Sequence, residues 1–204
     1  MPNLDDKFNV IYSYLRQYPD QLSGRRRLDL HSNEGKNTLR ELFKAGREQR
    51  VTVERAGTIP DEMVSHILKI IHSYTDDELE NIKMTHQQSM VAENCVGALL
   101  ERYIASIIEN YGWVWCSGDI VRSIDFIRQG TNDTWTELQI KNRDNSENSS
   151  SSRVRAGTDI KKWHRTISRT GATHWEAFPD AQMCSLLSEE GFRSYVTEYF
   201  KDTA

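Results

Sequence analysis

The chain has 204 residues, and 37% of them are hydrophobic. Five Trp, eight Tyr and six Phe are enough to furnish a core, which excludes a wholly disordered chain. No apolar run approaches the ~20 residues that a membrane helix needs, and the N-terminus lacks the basic and apolar regions of a secretory signal. The three cysteines (Cys95, Cys116, Cys184) are odd in number and widely spaced, so they form neither a disulfide framework nor a zinc motif. A cytoplasmic protein is expected, with the cysteines packing as small core residues. The net charge is -4, but it is unevenly spread. Residues 139–170 hold eight Lys/Arg and three acids, a local +5, and residues 54–80 hold seven acids and two bases, a local -5. A negative chain can therefore carry a positive face.

In chain order, the first ninety residues read as helical. Phe8, Ile11, Tyr12 and Leu15 share one helical face, and Pro19 stops the run. Gly24 to Arg27 (GRRR) interrupts and is available for phosphate contacts. Thr38 to Arg50 reads as a short charged helix. Pro60 suits the first turn of another, with Met63, Val64, Ile67, Leu68 and Ile71 as its stripe. Asp76 to Glu78 opens a further helix, with Leu79, Ile82 and Met84 as its apolar positions. Ala92 to Asn110 has the widest apolar face, and Gly112 ends it.

The texture then changes. Trp113 to Cys116 reads as a strand, Ile120 to Arg128 as a second, and Trp135 to Asn142 as a third, after a turn at 130–133. Residues 142–152 contain nothing apolar. Such a length between regular elements is commonly functional or disordered. Thr158 is expected to cap a helix through Ile167. His174 to Phe178 is a weak strand candidate, and Ser188 caps a last helix through Phe200. The fold class is α/β (α+β), expected as a helical part at 1–90, able to pack on the core, and a core at 91–204.

The chemistry concentrates on the second and third strands. On a strand, i, i+2 and i+4 share a face, so Glu137, Gln139 and Lys141 project together while Leu138 and Ile140 turn inward. Pairing through the turn brings Asp125 close. A solvated hairpin face would show the same alternation, but two carboxylates, an amide and an ammonium also suit phosphodiester hydrolysis. Mg²⁺ takes oxygen ligands, polarises a phosphate and acidifies a bound water. A lysine beside it holds the attacking water and offsets developing charge. Asp125 is the obligate ligand in this reading, Gln139 a neutral oxygen donor, Lys141 the positioning cation, and Glu137 a ligand or supporting group. On the preceding helix, Glu93 and Glu101 lie near one face, and either could complete the metal site. The basic segment follows directly. Asn142, Arg143, Asn145, Asn148, Arg153 and Arg155 are candidates for contacting DNA, several of them base edges, and Lys161, Lys162 and Arg165 for phosphates. His164 reads as a phosphate contact or surface residue.

These residues resemble the PD-(D/E)XK nuclease pattern: Asp125, then Gln139 and Lys141 on the next strand, after a helix bearing Gly97 and Glu101. More narrowly, Ala92 to Gly97 (AENCVG), Trp113 to Gly118 (WVWCSG) and Leu138 to Ser152 (LQIKNRDNSENSSSS) resemble the SinI family of type II restriction endonucleases, over roughly residues 90–200. The resemblance implies an αβββαβ fold with a central mixed sheet. It also implies Mg²⁺-dependent cleavage of double-stranded DNA at a short site resembling GGWCC, leaving 5′-phosphate ends. Carried over, Asp125 is the metal ligand and Lys141 the catalytic lysine. Gln139 stands where most of the superfamily has Glu or Asp, and Ile124 replaces the proline. A homodimer, each subunit cutting one strand, and a cognate DNA methyltransferase as functional partner are implied by the substrate class. Two alternatives stay open from the residues: a structure-specific DNA nuclease, and a DNA-binding protein with a decayed nuclease site.

Overall fold

The computed structural model describes residues 3–23, 28–53, 61–144 and 159–201. The chain forms two compact units, residues 1–49 with 100–204, and residues 50–99. The first two helices therefore share a unit with the sheet and do not form a helical part with residues 50–90.

Helix α1 (Leu4–Gln17) opens with a reciprocal cap: Asn3 Oδ1 accepts from Asp6 N at 2.8 Å, and Asp6 Oδ2 from Asn3 N at 3.1 Å. Helix α2 (Asn33–Glu48) begins five residues before the expected start, because Ser32 caps it through Gly35 N. Their apolar faces (Phe8, Ile11, Tyr14, Leu15, Leu39, Phe43) form one buried cluster with Val114, Cys116, Ile124, Ile127 and Ile160. Fully burying each such side chain contributes about 1.5–3 kcal/mol.

In the other unit, Asp61 caps α3 (Glu62–His72), through Met63 N, and Pro60 lies outside the described residues. Of the expected stripe, Met63, Val64, Ile67 and Ile71 are exposed. Thr75 and Glu78 then make a capping box for α4 (Asp76–Ile108). Two helices are expected here and one forms. No Gly or Pro stands between Met84 and Ala92, so nothing breaks the backbone ladder. The helix continues into the sheet-bearing unit, where Leu100, Tyr103, Ile104 and Ile108 are buried. Gly112, at φ +84°, ends the run as expected.

The sheet has four strands in the order β1 (Trp113–Trp115), β2 (Phe126–Gln129), β3 (Trp135–Arg143) and β4 (Lys161–Thr166). The first three are antiparallel neighbours, and β4 runs parallel to β3. The mixed sheet with helical flanks agrees with the expected fold class. Strand β2 is shorter than the 120–128 expectation. Asp119 and Ser123 take left-handed backbone conformations, so residues 117–125 turn repeatedly and do not extend. Gly118 starts those turns at φ +83°, and a Cβ there would stand 2.3 Å from the Leu42 carbonyl oxygen, so only glycine fits.

Residues 161–166 correct a second expectation: they form a strand, not a helix. They run in the ladder beside β3, with Trp163 buried against Trp175 and Phe178 at ring separations of 5.1 and 5.2 Å. Pairing and aromatic packing outweigh the weak local preference of a Lys-rich segment. Residues 175–177 form a 3-10 turn and not a strand. Helices α5 (Ala181–Cys184) and α6 (Glu189–Lys201) follow, with Ser188 Oγ accepting from Gly191 N at the start of α6 as expected. Phe192 of α6 joins Tyr103 and Trp175.

Candidate active site

Asp125 stands at the entrance to β2, joined to both neighbouring strands. Its carbonyl oxygen accepts from Cys116 N at 2.8 Å, and its N–H donates to Leu138 O at 2.9 Å. Its carboxylate continues the ladder: Oδ2 accepts from Ile140 N at 2.6 Å. The last β2–β3 partner on β3 is Leu138, and from Gln139 onward β3 pairs with β4 alone. Asp125 is thus fixed where the pairing of β2 and β3 ends.

Glu101 reaches the same place from α4. Trp115 Nε1 donates to Glu101 Oε2 at 3.0 Å. Burial is the main cause that drives the Glu101 carboxyl up to about 8, and the Asp125 charge adds to it. Arg102 and Lys141 pull it the other way. Burial likewise pushes Asp125 up to about 6, against the Ile140 N–H and Lys141. Burial therefore makes each carboxyl resist ionising, and Lys141 opposes that in both.

Gln139 is buried, at 3% exposure. Its register partner on β4 is Lys162, and that of Lys141 is His164. Partners side by side on parallel strands share a face, so Lys162 and His164 flank Gln139 and Lys141. His164 stacks on His174 at 5.0 Å, and burial lowers its pKa.

Other expected residues are placed elsewhere. Glu137 turns its carboxylate to α1, where Tyr14 Oη donates to Oε1 at 2.7 Å. It lines a cleft of about 390 Å³ with Tyr18, Gln21, Trp135, Asp159 and Lys161. Its carboxylate is thereby engaged on the α1 side, away from Glu101. Glu93 is exposed, on the stretch of α4 within the 50–99 unit. Arg165, expected at phosphates, gives its guanidinium to both Glu189 oxygens at 2.7 and 2.8 Å and to Asn142 Oδ1 at 3.0 Å. Arg165 and Asn142 are thereby committed to joining β3, β4 and α6. Arg143 and Lys161 are exposed. Asn145, Asn148, Arg153 and Arg155 lie outside the described residues, as do Arg25, Arg26 and Arg27. The sequence reading missed Trp115 as a partner of Glu101, because no spacing rule links the two. Among the described residues, no group of three His, Cys, Asp or Glu side chains gathers as a ready metal cluster. A cation here would draw on the carboxyl pair and on neutral oxygens. No described helix is long and apolar enough to cross a membrane.

A four-stranded mixed sheet with helices before and after it is consistent with a restriction-endonuclease-like fold. The sequence profile of the SinI restriction endonuclease family matches residues 2–202. The type II restriction enzyme SinI of Salmonella infantis is 42% identical over 204 residues, spanning 98% of this chain and 89% of that protein. The type II restriction enzyme Eco47I of Escherichia coli is 43% identical over 202 residues, spanning 97% and 88%. The chain belongs to the SinI restriction endonuclease family. The match reaches residue 2, so it also takes in the first ninety residues, where no motif suggests a relative.

Proposed function

We propose that this chain is a type II restriction endonuclease that hydrolyses phosphodiester bonds of double-stranded DNA at a short defined site, GGWCC, with Mg²⁺ as cofactor. The observation that carries the mechanism is the electrostatic link of half-buried Glu101 to Asp125 and Lys141, with Asp125 held by the Ile140 N–H. Two neighbouring half-buried carboxyls, each with a raised pKa, are the donor set that a hard divalent cation satisfies. A protein that only bound DNA would gain nothing from them, since uncompensated acids repel phosphate.

Asp125, Glu101 and the amide oxygen of Gln139 would hold the cation. When bound, Mg²⁺ polarises the scissile phosphate and acidifies a water. Asp125 is kept in place by the Ile140 N–H, so its carboxylate is oriented before substrate arrives. The Lys141 ammonium holds the attacking water in line with the phosphorus and offsets the charge that builds on the phosphoryl oxygens. Lys162 and His164, on the same face, meet the DNA backbone together with the exposed Arg143 and Lys161. Base readout falls to the polar stretch after β3. Double-strand cleavage at a two-fold site calls for two copies of the chain, and a cytoplasmic host needs a DNA methyltransferase of the same specificity.

The direct test is a digest of unmethylated phage DNA by the purified chain with Mg²⁺, beside an EDTA control. Discrete, EDTA-sensitive fragments whose ends map to GGWCC are expected. Intact DNA in both Mg²⁺ and Mn²⁺, with folded protein, would refute the activity, and discrete fragments with other ends would refute the site.

A further inference from the structure

Glu101 is held by a side chain that is not itself a cation ligand. Trp115 donates its indole N–H to Glu101 Oε2 at 3.0 Å. Trp115 is 6% exposed and is gripped from several sides. Its main-chain N–H donates to Glu109 Oε1 at 3.0 Å, and its carbonyl oxygen accepts from Arg47 Nη2 at 3.0 Å. The guanidiniums of Arg102 and Arg47 lie over its ring, at 5.0 and 5.4 Å from the centroid.

The grip has its own anchor. Glu109 is a buried carboxylate, 6% exposed, that accepts from Lys7 Nζ at 2.5 Å and from Arg47 Nη2 and Nη1 at 2.5 and 3.1 Å. These bonds hold Glu109 below the usual carboxylate range despite its burial. A buried ion cluster of this kind adds little net stability over apolar packing, but it fixes geometry. Here it ties α1 through Lys7, α2 through Arg47 and the turn after α4 through Glu109 to the backbone of β1 at Trp115. The indole of that residue points at Glu101.

We propose that Trp115 is a positioning residue for Glu101, and that the Lys7–Glu109–Arg47 cluster sets the position of Trp115. The inference rests on the reading of Glu101 as a cation ligand. A glutamate on a helix has three rotatable side-chain bonds, and one directed N–H fixes the plane of its carboxylate. Without that bond the carboxylate samples several orientations, and the cation must order it on binding. Partners that orient a metal ligand in this way change affinity by about 10–100-fold when removed.

The test is a double-mutant cycle on the full chain. Trp115→Phe keeps a ring between the guanidiniums and removes the N–H. Mn²⁺ binding is measured by calorimetry in the absence of DNA, and the Mg²⁺ concentration for half-maximal cleavage is measured separately. Trp115→Phe should weaken Mn²⁺ binding and raise the Mg²⁺ requirement, each by about 10–100-fold. Glu101→Gln should do at least as much, and the double variant should be no worse than Glu101→Gln alone. Independent, additive losses would overturn the inference, because they would mark Trp115 as merely structural. Unchanged metal dependence in Trp115→Phe with an impaired Glu101→Gln would overturn it as well, leaving Glu101 in the site. Unchanged metal dependence in Glu101→Gln would instead remove Glu101 from the site. Should Trp115→Phe not fold, benzothienylalanine at position 115 replaces the N–H by sulfur, keeps the bicyclic ring and repeats the cycle.

Discussion

Replacing Asp125 by asparagine should make the metal-free protein more stable while it destroys cleavage. Asp125 is pushed from an ordinary 3.8 to about 6, mainly by burial. That rise amounts to ~3 kcal/mol of differential interaction between its two protonation states. A carboxyl with a raised folded pKa binds more protons folded than unfolded, so its contribution to stability is full below about pH 4 and is lost as pH rises through about 6. At pH 8 the wild type carries that loss and the amide does not. The oxygen of the substituted amide can still accept the Ile140 N–H, so that contact is kept. A net gain of about 1–3 kcal/mol is expected, which is roughly 3–10 °C in Tm for a chain of this size. Scanning calorimetry in EDTA at pH 8 and at pH 4.5 measures it. The gain should be present at pH 8, smaller at pH 4.5, and reversed in Mg²⁺, which stabilises only the wild type. A variant that is no more stable than wild type at pH 8 would refute the claim that this carboxylate is held at an energetic cost for the sake of function.

Three further outcomes follow. Lys141→Ala should leave the protein folded and binding DNA, with cleavage falling by at least about 10²-fold, as expected when a group that stabilises developing charge is removed; gel-based cleavage rates beside filter binding check this, and a near-normal rate would exclude Lys141. Glu101→Ala should abolish cleavage at moderate Mg²⁺ and Glu93→Ala should not, and the reverse result would reassign the helix ligand. Lys162→Ala should weaken binding and reduce the slope of log K against log[salt] by about 1, whereas Arg165→Ala, which breaks the Glu189 and Asn142 contacts, should lower Tm; a changed salt slope with unchanged Tm for Arg165→Ala would return that residue to the phosphates.

What the sequence reveals and what it hides divide along physical lines. Helix α1, strands β1 and β3, the Gly112 stop and the 130–133 turn are specified by nearby residues, through caps, left-handed backbone positions and alternation, and they are legible. The nearness of Asp125 and Lys141 is legible, because Lys141 lies on the strand that follows the short hairpin and Asp125 precedes it. Which of Glu93, Glu101 and Glu137 comes near Asp125 is not. It depends on Tyr14 Oη, which draws Glu137 to α1, and on the Trp115 N–H, which draws Glu101 inward, and these contacts join distant parts of the chain. Strand β4 is hidden for a related reason. Its Lys, His and Arg residues have no strong local preference, and the strand forms because Trp163 is buried among aromatic rings while its backbone pairs with β3. The assignment of Arg165 to phosphate overlooks Glu189, again a partner supplied by the tertiary fold.

The measurement that bears most directly on the active site is single-turnover cleavage of a short duplex containing one GGWCC site, with ends mapped, by wild type, Asp125→Asn and Lys141→Ala in Mg²⁺. A defined break in each strand is expected with wild type, no break with either variant, and no break when the site is scrambled. Cleavage by either variant at the wild-type rate would contradict the assignment of the active site, and equal cleavage of the scrambled duplex would contradict sequence-specific restriction.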